Sequence, residues 1–240
     1  SPGFLYVGSE QDWQTEDESG AVHLYTVDGA DFTWVGKLKP EVVYDFAWFG
    51  SSLSIEYDDE SPYRVLAVGA PGENSSKGAI YLFENEGSGW EEMERLISPV
   101  RQNNAFLGHS VSFMGDMVAA GAPGHGSSAG AVVVWEYVEA LEDWDAGDLL
   151  QPVDGEADDE FGISVLFLDS TELIAGAWFG FDDVHDQYSG VVWHFRRLGH
   201  HNWDEVGPIS PVATPSVGAT FGSALAKYGH LFMIGADWHD

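Results

Sequence analysis

Not one cysteine occurs in this chain. That excludes disulfide staples, thiolate metal sites and cysteine nucleophiles, and leaves stability to packing. Basic residues are also scarce: 9 Lys plus Arg stand against 40 Asp plus Glu, a formal net charge of −31. A surface of that sign repels nucleic-acid phosphates and anionic lipid headgroups, so neither is expected as a partner. It suits a very soluble protein, one in saline surroundings, or one that meets cations. The acids fall in short clusters among aromatic residues, which argues against a disordered acidic tail. No apolar stretch reaches 18 residues, so no membrane insertion is expected. The opening residues "SPGFLYVGSEQDW" lack a basic start and a long apolar segment, so no secretory leader is expected there. No stretch sustains a helical period over three turns.

What the chain does have is hydrophobic content: 44% of 240 residues, with 14% aromatic. That is enough for one large all-β unit or two smaller domains. It also has a repeat. "VLAVGAPGENSSKGAIYLFE" begins at Val65, "MVAAGAPGHGSSAGAVVVWE" at Met117, and "LIAGAWFGFDDVHDQYSGVVWHF" at Leu173. A degraded copy, "LYVGSEQDWQTEDESGAVHLY", starts at Leu5, and a half-copy, "LFMIGADWHD", ends the sequence. A second motif precedes four of these: "FGSSLSI" at Phe49, "LGHSVSF" at Leu107, "FGISVLF" at Phe161 and "FGSALAK" at Phe221. Its glycines, Gly50, Gly108, Gly162 and Gly222, are spaced by 58, 54 and 60 residues. The "GA" glycines, Gly69, Gly121, Gly176 and Gly235, are spaced by 52, 55 and 59. Two separate markers thus share one period, which a chance resemblance would not produce.

Each period reads as four short strands punctuated by Gly, Pro, Asp and Ser. In the third, Ser110 to Phe113 alternates, Met117 to Ala120 is apolar, and Gly130 to Tyr137 is β-branched and aromatic. A weaker segment follows around Trp144 to Leu150. Four strands per period over several periods is the pattern of a β-propeller. The motif has a physical reason: a wedge-shaped blade narrows toward the axis, where Gly and Ala leave room for neighbouring backbones. The Phe then fills the space between blades, and the Pro stops a strand that must not continue. Trp34, Trp90, Trp135, Trp193 and Trp203 are read as late-strand core or blade packing.

Phe49-Gly50, Leu107-Gly108, Phe161-Gly162 and Phe221-Gly222, with Gly69-Ala70-Pro71 and Gly121-Ala122-Pro123, resemble FG-GAP repeats. This is the propeller family that includes the head of integrin α subunits. The expected fold is therefore all-β: a β-propeller of four-stranded antiparallel blades, with about four to five repeats. Residues 1–240 read as a single FG-GAP-like domain or part of one. The repeats span approximately 1–45 (lacking the first strand), 46–103, 104–157, 158–217 and 218–240, the last a half. Seven blades, as the resemblance implies, would make the chain a segment of a longer propeller. A compact propeller of four or five blades is the rival.

The resemblance implies a search for calcium in the turn between first and second strands. "EYDDESPYR" offers Asp58, Asp59 and Glu60 there, without the alternating spacing and central Gly of the family's loop. Calcium needs six to eight oxygens, so a solvated acidic turn competes with calcium as the reading. The fourth repeat carries a longer insertion, "FGFDDVHDQYSG". Its Asp182, Asp183 and Asp186 are candidate cation ligands, and Phe181, His185 and Tyr188, with Phe179, are candidates for a sugar or peptide site. Asn74 heads the sequon Asn74-Ser75-Ser76, a candidate glycosylation site. His125, His185 and the pair His200-His201 invite a catalytic reading, but no zinc-protease motif, P-loop with Lys or nucleophile elbow is expected to support it.

The functional expectation is a non-catalytic module for extracellular or cell-surface recognition, adhesion or assembly. Its expected partners are other proteins or glycans, or the remainder of a larger propeller. A structural subunit of a polymer or complex is one rival. An enzyme with its site at a propeller channel mouth is the other.

Overall fold

A computed structural model describes residues 3–11, 19–42, 44–57, 64–145, 147–216 and 218–237. The chain is all-β, laid down as successive antiparallel meanders. β1 (Gly3–Ser9), β2 (Ala21–Asp28) and β3 (Asp31–Leu38) form the first sheet. β4 (Leu53–Tyr57), β5 (Arg64–Ala70), β6 (Ala79–Asn85) and β7 (Glu91–Leu96) form the second. In the third, β8 (Ser110–Met114), β9 (Met117–Gly121) and β10 (Val132–Val138) are followed by two short pieces. These are β11 (Asp143–Trp144) and β12 (Asp148–Leu150), both paired with β10, so the fourth strand expected around Trp144 to Leu150 is interrupted. The fourth sheet begins with β13 (Phe161–Asp169) and β14 (Glu172–Ala177), after which comes a small hairpin of β15 (Phe181–Asp182) and β16 (Gln187–Tyr188). It is completed by β17 (Val191–Gly199) and β18 (Asn202–Ile209), and a last hairpin joins β19 (Thr220–Tyr228) to β20 (Leu231–Asp237). The only helical segments among the described residues are two four-residue turns, Glu73–Ser76 and His125–Ser128.

The middle strands are buried on both faces, and the pleat sends alternate residues to different cores. In β5, Leu66, Val68 and Ala70 pack with Val22, Leu38 and Phe49 against the first sheet. Val65 and Ala67, between them in sequence, pack with Leu107, Val118 and Trp135 of the third sheet. The same division recurs one sheet on, where Val133 and Trp135 face backward while Val132 and Val134 face forward to Phe161 and Leu173. Near-continuous apolar runs in the second and third strands are therefore required by two-sided burial, whereas β18 alternates residue by residue as an outer strand. Among the described residues, most of the acids lie on such outer strands and connecting turns, where water solvates them.

The seams between sheets are built by one repeated backbone contact. A Cβ added to Gly8, Gly69, Gly121 or Gly176 would come within 2.0, 2.0, 1.7 or 2.1 Å of the carbonyl oxygen of Gly50, Gly108, Gly162 or Gly222 respectively. Any side chain there would force the two sheets apart. Serines missed by the motif reading add to three of these four seams. Ser52, Ser110 and Ser164 donate from Oγ to the carbonyls of Gly108, Gly162 and Gly222 at 2.7, 2.9 and 2.6 Å. Ser54 and Ser112 accept the Phe113 and Phe167 N–H groups of the next sheet at 2.9 and 3.0 Å. The first strands β4, β8, β13 and β19 consequently lie side by side. Phe49, Leu107 and Phe161 are wholly buried at the seams, and Phe49 meets Tyr81 and Phe83 edge-on at 5.5 and 5.9 Å.

The tryptophans divide more than the sequence suggested. Trp135 and Trp193 are core, but Trp34 is 55% exposed, because the face of the first sheet that carries it has no neighbouring sheet. Trp90 precedes β7 and Trp203 is near the start of β18, so neither is late in its strand.

The seam contact makes a direct test. Gly121→Ala should lower stability by about 3 kcal/mol or more in urea unfolding, because backbone blocks the new methyl. Gly36→Ala, whose Cβ would meet only Leu24 Cδ1 at 3.8 Å, should stay within about 1 kcal/mol of wild type. Equal effects of the two would contradict close sheet approach as the reason for Gly121.

Candidate functional site

The insertion in the fourth repeat has a local cause. In the shorter turns of the second and third sheets, Gly72 and Gly124 lie against the carbonyls of Phe46 and Asn104, where a Cβ would stand 2.0 and 1.9 Å away. Phe179 follows "GAW" where those glycines follow "GAP", and its ring cannot enter that space. The Phe179 N–H still reaches the Asp159 carbonyl, at 3.4 Å where Gly72 and Gly124 make the equivalent contact at 2.9 and 3.1 Å. Beyond it the backbone departs, and Trp178 donates from Nε1 to Glu160 at 2.7 Å. The departing segment closes as the β15–β16 hairpin, with Phe181 directly opposite Tyr188 and their rings edge-on at 5.1 Å.

Asp182 holds that hairpin from inside. Its side chain is fully buried, and its Oδ2 lies 2.6 Å from His185 Nδ1 and accepts from Ser189 Oγ at 3.4 Å. Its Oδ1 accepts the Val184 N–H at 3.0 Å. Burial pushes the Asp182 carboxyl upward, but hydrogen bonds from His185, Ser210 and Val184 outweigh it and hold it below the ordinary value. Asp182 and His185 thus serve the loop's own shape. Asp183, Asp186 and Tyr188 are exposed, and Asp186 takes a left-handed φ of 55° in the turn. The three acids of the loop do not gather with a further ligand into a set within 4.8 Å among the described residues.

Beside the hairpin lies a cavity of about 270 Å³. Asp154, Glu156, Asp159 and Asp183 line it, and Phe181 and Trp193 are the aromatic part of its apolar surface. The Asp159 carboxyl is pushed up by burial and by the neighbouring Glu156 and Asp158, against the lowering effect of the Glu156 N–H that it accepts at 2.7 Å. Carboxylates beside aromatic rings can accept hydrogen bonds from hydroxyls or pair with a cationic side chain. Of the site candidates named from sequence, Phe181 and Asp183 reach this cavity, and Trp193, read there as packing, also lines it. Asp154, Glu156 and Asp159 were missed, since they belong to the connection before β13 and only the fold brings them to the insertion.

The remaining candidates are dispersed. Asp58, Asp59 and Glu60 lie outside the described residues. Asn74 is exposed, with a φ of 52°, in the turn between β5 and β6. His125 is buried, and that burial pushes its imidazole down. It occupies the place of Glu73 one repeat earlier, itself buried, where Tyr81 donates to Oε2 at 2.7 Å and Arg95 pairs with Oε1. By letters alone, Gly126-Ser127-Ser128-Ala129-Gly130 satisfies G-x-S-x-G, which the expectation of no nucleophile elbow passed over. The context differs: the serines sit in a four-residue turn leading into strand β10, without the helix that follows a nucleophile elbow. Ser127 and Ser128 give their carbonyls to the Asp158 and Glu160 N–H groups of the connection that leads into β13. That turn, whose His125 invited a catalytic reading, is a seam contact. No described helix is long and apolar enough to cross a membrane.

The geometry defines a class, an all-β chain of repeated antiparallel meanders joined by glycine seams. No protein-family model matches the chain. It is similar to integrin alpha-11 of mouse and of human, at 36% identity over 80 residues in each case. The aligned stretch covers 33% of this chain but 7% of each integrin.

The role assigned to Asp182 predicts its pH behaviour. A carboxyl held low in the folded state stabilises above the unfolded pKa, near about 4, and loses that contribution as pH falls through the folded value. Asp182→Asn should therefore cost about 1–3 kcal/mol at neutral pH, with the gap to wild type closing in acid. Asp183→Asn and Asp186→Asn should stay within about 0.5 kcal/mol. Denaturant melts across pH read this, and a gap for D182N that stays constant into strong acid would refute the assignment.

Proposed function

We propose that the chain is a non-catalytic recognition module of extracellular or cell-surface type, built as an FG-GAP-like β-propeller or part of one. The observation that carries this reading is the seam, in which the same glycine meets the carbonyl of the same glycine one sheet later, four times over. One contact repeated between like sheets turns each by a similar angle about a common axis, which is how a propeller grows. In this reading each repeat, near 1–45, 46–103, 104–157, 158–217 and 218–240, contributes one blade or part of one. The likeness to integrin alpha-11, a third of the chain long, supports both the architecture and an adhesive role.

The recognition surface in this proposal is the β15–β16 hairpin and its acid-lined cavity. Tyr188 and Phe181 supply aromatic contact, and Asp183 with Asp154 supplies acceptors, a combination suited to a glycan or to a cationic segment of another protein. Asn74, exposed on a seam turn, is in this setting an acceptor for an N-linked glycan.

A second reading, assembly, is favoured by the two terminal sheets. Phe32 and Trp34 at one end, and Leu231 and Met233 at the other, are 55–72% exposed. In a larger propeller or complex such faces are covered by further sheet.

Arrays of glycans and extracellular proteins, probed with the 240-residue chain, test the proposal. Binding should fall about tenfold or more in Phe181→Ala or Tyr188→Ala, and mass spectrometry should find the bound ligand chemically unchanged. Turnover of a ligand, abolished by substitution at this cavity, would overturn the non-catalytic reading. Binding indifferent to both variants would overturn the assignment of the surface.

A further inference from the structure

Away from that cavity, the seam between the third and fourth sheets holds a second cluster. The β17–β18 hairpin turns through His200 and His201, Gly199 pairing with Asn202. The turn projects over the loop between β11 and β12, which carries Asp145 and is followed by Asp148. The Asp145 side chain is only 6% exposed. Its Oδ1 accepts the Gly147 N–H at 2.9 Å, but its Oδ2 is buried with no hydrogen-bond partner. A buried carboxylate oxygen left unpaired is costly, and such an atom calls for a ligand.

Two imidazole nitrogens face that oxygen. His201 Nε2 is 3.4 Å and His200 Nε2 is 3.8 Å from Asp145 Oδ2. These separations are long for hydrogen bonds between nitrogen and oxygen. They are close to the edge of a tetrahedron around zinc, about 3.3 Å for metal–ligand bonds of about 2.0–2.1 Å. The ligand atoms of all three residues lie within 4.8 Å of one another. The outer arrangement fits as well: His201 Nδ1 is 3.0 Å from Asp148 Oδ2, the carboxylate contact that fixes an imidazole with Nε2 turned to a metal. Glu136 Oε2 stands 3.9 Å from His200 Nε2, yet Glu136 is already paired with Arg197, at 2.9 and 2.5 Å. It therefore acts as a neighbouring charge and is not free to ligate.

The geometry points to a binding site for a divalent transition metal of the zinc type, with Asp145, His200 and His201 as ligands and Asp148 orienting His201. Two nitrogens and one oxygen suit zinc, cobalt or nickel, and do not suit calcium, which requires six or more oxygens. His200 and His201 are 49% and 39% exposed, so the fourth position opens to water and an ion can enter. Because Asp145 belongs to the third sheet and both histidines to the fourth, the ion joins two sheets across a seam. This site is independent of the proposed recognition surface.

The test is titration of cobalt(II), then zinc(II), into the chelator-treated 240-residue chain. One equivalent of cobalt should develop the intense visible absorption of four-coordinate cobalt(II), and zinc should displace it. Asp148→Asn should weaken affinity about 10–100-fold, and His200→Gln or His201→Gln by at least as much. Zinc at a hundredfold excess over Kd should raise the unfolding midpoint of wild type by about 5 °C, and leave the double histidine variant unmoved. Absence of binding, or binding of equal strength in the histidine variants, would overturn the site. Should the double variant fail to fold, X-ray absorption of the zinc-loaded wild type still decides. Two imidazoles in the zinc shell support the assignment, and a shell without them refutes it.

Discussion

Backbone meeting backbone across the seams is the constraint on which the rest of this structure depends. Where Gly121 faces the carbonyl of Gly162, even a methyl group has no place. The same contact at Gly8, Gly69 and Gly176 fixes how near each sheet lies to the next. That nearness lets the serines of one inner strand bond to the backbone of another. It also puts Phe49, Leu107 and Phe161 under complete burial, one in each of the three cores that separate successive sheets. The apolar runs, small residues and seam aromatics are thus one device, since changing any of them alters the distance that the others require.

The two candidate sites lie where the device is relaxed. In the fourth sheet Phe179 replaces a turn glycine, the short turn cannot form, and the chain closes a small hairpin instead. The hairpin is then made rigid by Asp182 and His185 from within, leaving Phe181, Asp183 and Tyr188 to face a cavity or solvent. The outer seam between the third and fourth sheets is relaxed in another way. The last strand of the third sheet breaks into two pieces, and the gap brings Asp145 beneath the histidines of the neighbouring hairpin. Both candidate sites are departures from the repeat: the β15–β16 hairpin from its short turn, the Asp145 loop from its unbroken fourth strand.

The repeat was legible because its contacts are made by residues at a fixed phase of each period. Gly50, Gly108, Gly162 and Gly222 are all in left-handed backbone conformations, which L side chains disfavour, so glycine recurs at all four. The seam serines sit at the same phase, but serine is common in turns and strands alike and gave no signal by itself. Trp34 misled for a similar reason: its place in a strand is that of a core residue, and only the lack of a sheet beyond it leaves it exposed. The acids Asp58, Asp59 and Glu60 were visible as a charged turn, but their places lie outside the described residues.

By itself, then, the sequence determined the all-β class, the spacing of the strands and the positions at which no side chain is allowed. Those follow from local chemistry repeated along one chain, and they can be counted without coordinates. The tertiary structure decided which side chains meet. Asp154, Glu156 and Asp159 join Phe181 only because the connection before β13 passes the later hairpin. Asp145 meets His200 and His201 across more than fifty residues only because two sheets press together at a seam. Charge and hydrogen bonding act over a few ångströms of space, a distance that sequence separation does not record.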